Sequence, residues 1–335
     1  MREATPLIRL RRAVVHSVNG LARRFGVSVV RTSLLDELAS ARAGAEPPRP
    51  RSWAHRGAAP MIVDTEWLRQ LTVEYRAHSL ARLGGYWDSE YTSELDLSDF
   101  RGDNHYVWQR RQFGEVNYLT TILYARSHDE HGVLDRIDED GAFGAQSLEL
   151  EGRLYSRDLV ESANELNFLL DHLPLGDLRP LRLVDVGAGY GRLAHRLATV
   201  VPDAEIYCTD GIAVSTAICD AYLRYRNLTD RVTVVPLTRL DSIATPIRVA
   251  TNVHSFSEMS YEAVAWWLDW LVDAGVQWLF VVPNLPGPSL VDGRSFRDLL
   301  EARGFELAAT RPKYDDPLVD RYALYPGVYY LYRRG

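Results

Sequence analysis

The chain has 335 residues, 46% hydrophobic and 25% charged, a composition that suits one large or two medium globular units and excludes disorder throughout. No run approaches the roughly 20 apolar residues that cross a bilayer, and arginines break up the apolar residues at the start, so neither a membrane span nor a secretory leader is expected. The net charge of −7 is unevenly placed: residues 1–60 hold eleven arginines against four acidic residues, leaving +7 there and −14 on the rest.

The first unit in chain order is a basic arm and linker, 1–60. Leu7, Leu10, Val14, Val18, Leu21 and Phe25 recur at roughly helical spacing, which predicts a helix packed on another subunit, in a homo-oligomer, or on the acidic body of its own chain. The arm matches no nucleic-acid-binding motif, so nucleic acid is not an expected partner. Proline, glycine and alanine crowd residues 43–60 and predict an extended linker. A helical and loop cap over 61–153 comes next. It comprises a helix over 65–83 closed by Gly84-Gly85, an acidic and aromatic stretch over 86–112, a helix over 115–126, and an acidic, glycine-punctuated connector over 128–153. The acidic clusters Asp138-Glu139-Asp140 and, much later, Asp315-Asp316 read as solvated turns, and no metal is assigned to them. Cys208 and Cys219 have neither a CxxC spacing nor a nearby histidine cluster, so a reducing, cytoplasmic setting is expected.

Residues 154–335 alternate regularly. Strand-like segments at 182–187, 205–210, 231–236, 247–253, 276–283, 305–311 and 328–333 are separated by helical ones at 190–200, 212–226, 259–272 and 293–303, with a further helix over 155–173 ahead of them. The expected fold class is α/β: a Rossmann-like seven-stranded sheet, mainly parallel with an antiparallel last strand, behind a mostly helical N-terminal region.

The first of these strands runs into Asp185-Val186-Gly187-Ala188-Gly189-Tyr190-Gly191, a glycine-rich turn opening a helix. Such a turn lets backbone approach a ligand closely. A dinucleotide site places its third glycine where Arg192 stands; the spacing here is GxGxG with an acid two residues ahead, which favours S-adenosyl-L-methionine over NAD. Asp185 can fix the turn and help hold the methionine ammonium. Asp210, followed by Gly211 at the end of the second strand, can accept both ribose hydroxyls, or else cap the next helix.

At these residues the chain resembles the class I S-adenosylmethionine-dependent methyltransferases, whose acid and GxGxG stand here as Asp185 to Gly191. Residues 251–259, with 103–110 and 313–316, look like the sugar O-methyltransferase family of bacterial polysaccharide and natural-product pathways. The resemblance implies a methyltransferase whose acceptor is a sugar-like small molecule. The acid that commonly follows the third strand and meets the adenine amine is missing from 236–241, where Asp241 is the nearest substitute.

Ligands of such sheets lie beyond the carboxyl ends of the strands, where His254 follows the fourth. His254 is the candidate general base, Glu258 its orienting carboxylate, and His105 the reserve base. Ser255 to Glu258 also fits a capping box for the tryptophan-bearing helix. Asn252, Tyr155 and Ser156 are expected at the cofactor. Asp103, Asn104, Tyr106, Gln109, Arg110 and Tyr118 are expected to bind the acceptor. The competing readings are N-methylation or phenol O-methylation of another natural product, a non-catalytic cofactor-binding assembly subunit, and an NAD-dependent oxidoreductase.

Overall fold

The computed structural model describes residues 63–78, 95, 97–102, 106–107 and 114–335. The basic arm, its linker and most of the acidic aromatic stretch, with Asp103, Asn104, His105, Gln109 and Arg110, lie outside the described residues.

Helix α1 (Thr65–Ala77) starts at Asp64, whose carboxylate accepts from the Trp67 amide at 2.9 Å. It ends before the expected Leu83, with His78 already extended. Leu71 and Tyr75, one turn apart, form its buried face, and the Tyr75 hydroxyl meets Thr216 at 3.0 Å and accepts from the Leu237 amide at 2.7 Å. Helix α2 (Glu115–His128) buries Tyr118, Ile122 and Ala125. The expected connector after it contains an antiparallel hairpin, β1 (Ser147–Leu150) and β2 (Arg153–Ser156). Glu151 and Gly152 turn it with φ of 53° and 78°, the left-handed pair that a two-residue hairpin needs. The alternation of Leu148 and Leu150 with polar neighbours carries that strand signal; the acids and glycines around it mask it.

Helix α3 (Arg157–His172) is capped by the Ser156 hydroxyl, which accepts from Leu159 at 3.0 Å. Then follow β3 (Arg182–Val186), α4 (Arg192–Val200), β4 (Glu205–Thr209), α5 (Ala213–Tyr225), β5 (Val232–Val234), β6 (Val249–Val253), α6 (Tyr261–Asp273), β7 (Trp278–Val282), α7 (Arg297–Ala302), β8 (Phe305–Pro312), α8 (Pro317–Tyr322) and β9 (Val328–Arg334). The strands form one sheet in the order β5-β4-β3-β6-β7-β9-β8. Only β9, inserted between β7 and β8, runs against its neighbours.

The period of two along each strand divides its side chains between two cores. Leu183 of β3 packs with Leu159, Leu166, Leu193 and Leu197 on one face, whereas Val184 and Val186 pack with Val264, Trp267 and Leu268 on the other. Both faces are therefore covered by helices, as a parallel sheet requires. Because β3 lies between β4 and β6, chains leave its carboxyl end in opposite directions and open a crevice there.

Candidate active site

The crevice holds a cavity of about 250 Å³. The turn after β3 forms its floor. Gly187 has φ +71°, and a Cβ added there would stand 2.0 Å from Ser255 Oγ, so the turn excludes any side chain at that position. Its amides are largely taken up within the fold: Gly187 and Ala188 donate to Thr209 O at 2.9 and 3.1 Å, Gly191 to Ala188 O at 2.9 Å, and Gly189 to Asp210 Oδ2 at 3.0 Å. A pyrophosphate cradle needs such amides free and no carboxylate beside them. This turn offers the reverse.

Asp185 and Asp210 both line the cavity and are buried. Asp185 Oδ1 accepts from Thr251 Oγ1 at 2.7 Å; Asp210 holds Gly189 and also accepts from the Ile212 amide at 2.9 Å. Burial pushes each up to about 7, against the pull of these hydrogen bonds and, for Asp185, of the Arg192 charge. Asp210 is not the N-cap of α5, which is Ile212; each of its oxygens accepts one backbone amide, fastening the glycine turn, and the residue keeps acceptor capacity at the cavity it lines. Gly189, Tyr190 and Gly211 line the same space, as does Ala188, while Gly191 sits below it as the cap of α4.

Across the crevice, His254 follows β6 with φ +70°, a conformation that costs a non-glycine residue on the order of 1–3 kcal/mol and is maintained by surrounding structure. Its amide donates to Val282 O at 2.7 Å and its carbonyl accepts from Ser257 at 3.0 Å. The imidazole lines the cavity, and burial, then the charge of Lys313, lowers it to about 3, leaving it neutral at physiological pH. Glu258 lines the cavity too, but it accepts from Asn284 Nδ2 at 2.6 Å instead of holding the His254 ring. The capping-box expectation also changes: Ser255–Glu258 is a 3₁₀ turn, and α6 is capped by Ser260, which accepts from Ala263 at 3.1 Å. Asn252 is fully buried beneath the site. Its amide donates to Val186 O and Ser255 Oγ, and its oxygen accepts from Phe256, so it braces the turn and does not line the cavity.

The third wall comes from the start of α3. Tyr155 and Ser156, expected here, are buried in packing; the residues that reach the cavity are the next two, Arg157 and Asp158. Asp158 accepts from the Tyr190 hydroxyl at 2.5 Å and pairs with Arg101 at 3.5 Å. Tyr106 lines the opposite side, its hydroxyl donating to Ser215 Oγ at 3.2 Å, whereas Tyr118 is buried in the core and absent from the lining. Met259, Ala263 and Trp267 supply the apolar part of the wall. The helical period of α6 marks Trp267 as a core residue, and nothing local marks it as also facing a cavity.

Glu139, expected in a solvated turn, is fully enclosed: Arg101 lies 2.7 Å and Arg196 3.5 Å away, and the Ser156 hydroxyl donates to it. Both arginines are remote in sequence, so charge pattern alone assigns the residue to water. Asp316 caps α8, accepting from Leu318 at 2.8 Å.

The sheet order with its single reversed strand, and the glycine turn at the switch point, make a Rossmann-like seven-stranded α/β fold. No family model matches the chain, and no curated protein does. Among solved structures, it is similar to magnesium protoporphyrin IX methyltransferase (ChlM) from Synechocystis PCC 6803 with bound SAM, at 14% identity and a TM-score of 0.40 over 64% of this chain and 97% of that one. It is similar to the mitomycin 7-O-methyltransferase MmcR, at 18% identity and a TM-score of 0.38 over 52% of this chain and 57% of that one. A protein of the NADB-Rossmann superfamily from Streptococcus agalactiae aligns at 18% identity and a TM-score of 0.38, over 56% of this chain and 70% of that one.

Proposed function

We propose that the protein is an S-adenosyl-L-methionine-dependent O-methyltransferase acting on a hydroxyl of a sugar or sugar-bearing small molecule, with His254 as general base. One observation carries the cofactor reading: the amides of the glycine turn are internally bonded, and buried carboxylates without a bound cation, Asp185 and Asp210, face the cavity. That surface suits a cationic nucleoside and opposes a pyrophosphate. Asp210 would hold the ribose diol, Asp185 the ammonium side, and Arg157 the carboxylate of the methionine part. When bound, S-adenosylmethionine supplies a sulfonium methyl group, which passes to the acceptor oxygen while sulfur keeps the electron pair.

The chain's own part is to position the acceptor and remove its proton. His254 is uncharged and open to the cavity, so its ring can take the hydroxyl proton as the oxygen becomes an ether. Tyr106 reaches the cavity from the N-terminal side, which supports an acceptor-binding role for 61–153 over a methyltransferase unit at 154–335. The sugar-like acceptor rests on the sequence resemblance.

Calorimetry with S-adenosylhomocysteine and, separately, NAD tests the reading. Binding of the first and not the second is expected; the opposite result overturns it. With an acceptor in hand from a product-mass screen, His254→Ala should lose about 10²–10⁴-fold in kcat while retaining S-adenosylhomocysteine affinity. Unchanged kcat removes His254 from the chemistry.

A further inference from the structure

Helix α1 precedes the sheet by more than 100 residues, yet it is fastened to the half of the fold that carries Asp210. Tyr75 is 4% exposed, and its hydroxyl lies between helix α5 and the 3₁₀ turn Leu237–Ser242 that follows β5. It accepts from the Leu237 amide at 2.7 Å and meets Thr216 Oγ1 at 3.0 Å. The neighbouring Glu74 accepts from Thr238 Oγ1 at 2.9 Å, so α1 holds that turn at two points. Thr216 Oγ1 in its turn donates to Ile212 O at 3.2 Å, beside the Thr216 amide, which donates to the same carbonyl at 3.1 Å.

Each hydroxyl has a single proton to donate. Thr216 gives its proton to Ile212 O, so the bond between the two hydroxyls is made with the proton of Tyr75, which itself accepts from Leu237. The three bonds therefore point one way, from the Leu237 amide to the Ile212 carbonyl, an arrangement in which each bond polarises the next. Ile212 then continues the connection with its own amide, which donates to Asp210 Oδ1 at 2.9 Å, while the Gly189 amide holds Oδ2 at 3.0 Å. Asp210 and Ile212 line the cavity; Tyr75 and Thr216 stand behind them.

We propose that Tyr75 is a positioning residue for the cofactor site: through Thr216 it holds Ile212, and with Ile212 the carboxylate of Asp210 in the orientation that meets the ribose diol. The inference rests on Asp210 being the ribose acceptor of the proposed function. Ile212 opens α5 with no side-chain hydrogen bond of its own, so its carbonyl and amide are the groups by which the end of β4 is set. Without the Tyr75 hydroxyl, the Leu237 amide and Thr216 lose a buried partner and the start of α5 loosens with Asp210 attached to it. Burial pushes Tyr75 up to about 12, so the hydroxyl keeps its proton at physiological pH. Helix α1 thus serves the cofactor, and the acceptor-binding role proposed for 61–153 falls to the residues after it, through Tyr106.

Calorimetry on the full chain with two probes, S-adenosylhomocysteine and its 2′-deoxyribose analogue, tests the assignment. Wild type should bind S-adenosylhomocysteine about tenfold or more tightly than the analogue, which lacks one hydroxyl for Asp210. Tyr75→Phe keeps the ring in its packing; it should weaken S-adenosylhomocysteine by about tenfold and the analogue by less than about threefold, so that the ratio narrows. A merely structural hydroxyl would weaken both probes alike, or lower the urea midpoint and leave both affinities as they were, and either result overturns the proposal. Thr216→Val interrupts the connection at its next link and should narrow the ratio in the same way, which serves if Tyr75→Phe does not fold. The wild-type measurements keep the readings apart: failure to bind S-adenosylhomocysteine counts against the cofactor, equal binding of the two probes counts against Asp210 as ribose acceptor, and intact discrimination that neither variant changes counts against Tyr75.

Discussion

Two sets of buried carboxylates, one lining the cavity and one outside its lining, behave in opposite ways. Asp185 and Asp210, at the ends of β3 and β4, are pushed up to about 7 by burial and bonded only to neutral donors. Glu139 and Glu161, on the α3 side, suffer the same burial yet are held at about 2 by Arg101 and Arg196 in one case and by Lys313 and Arg157 in the other. Burial is common to both sets, so the difference is the cation. Where the fold supplies one, the carboxylate is a structural anion; where it does not, the carboxylate awaits a cationic or polyhydroxyl ligand.

The contrast can be broken first on the structural side. Arg101→Met leaves Glu139 with the more distant Arg196 as its remaining cation and also takes a cation from Asp158, so it should cost about 3–5 kcal/mol in urea denaturation, because buried negative charge is left under-compensated. A loss below about 1 kcal/mol would show that Glu139 does not depend on its cation. On the ligand side, Gly187→Ala places a methyl group 2.0 Å from Ser255 Oγ at a φ of +71°. Its effect should fall on the cavity: S-adenosylhomocysteine affinity should drop by about 100-fold or more, near 3 kcal/mol, in calorimetry. Retention of wild-type affinity would mean that the turn does not form the ligand surface.

The smallest effect sharpens the contrast through pH. Asp185 and Asp210 titrate in the folded protein near 7, above their ordinary 3.8, so the folded state binds the additional protons between those values. Their contribution to stability is therefore present at low pH and declines as pH rises from about 4 to about 7. Asp210→Asn has no such proton to release and should flatten part of that decline. S-adenosylhomocysteine should raise the melting temperature more at pH 8 than at pH 5.5, since the ionised carboxylates are the better acceptors. A ligand-induced shift independent of pH would detach both aspartates from binding.

The seven strands were legible because a doubly covered sheet demands apolar runs of five or so residues between helices, and the chain supplies them in order. The hairpin at 147–156 was harder to see, since its acids and glycines read as loop. Of the expected site residues, Gly187, Ala188, Gly189, Tyr190, Asp210 and His254 line the cavity, each at or just beyond a strand end, a position that the strand pattern itself marks. Tyr155 and Ser156 missed the cavity by one helical step: once Ser156 caps α3, the next residues, Arg157 and Asp158, face inward.

What the sequence by itself determined was therefore local: alternation, the glycine spacing and the acids that follow strands, all set by backbone geometry over a few neighbouring residues. Only the tertiary structure decided which charges meet. Lys313 joins Glu161, and Arg101 joins Glu139, across long stretches of chain. A charged side chain carries no local mark of the partner it will find, and it is the partner, together with the loss of water, that determines whether a buried carboxylate is a structural anion or part of a binding site.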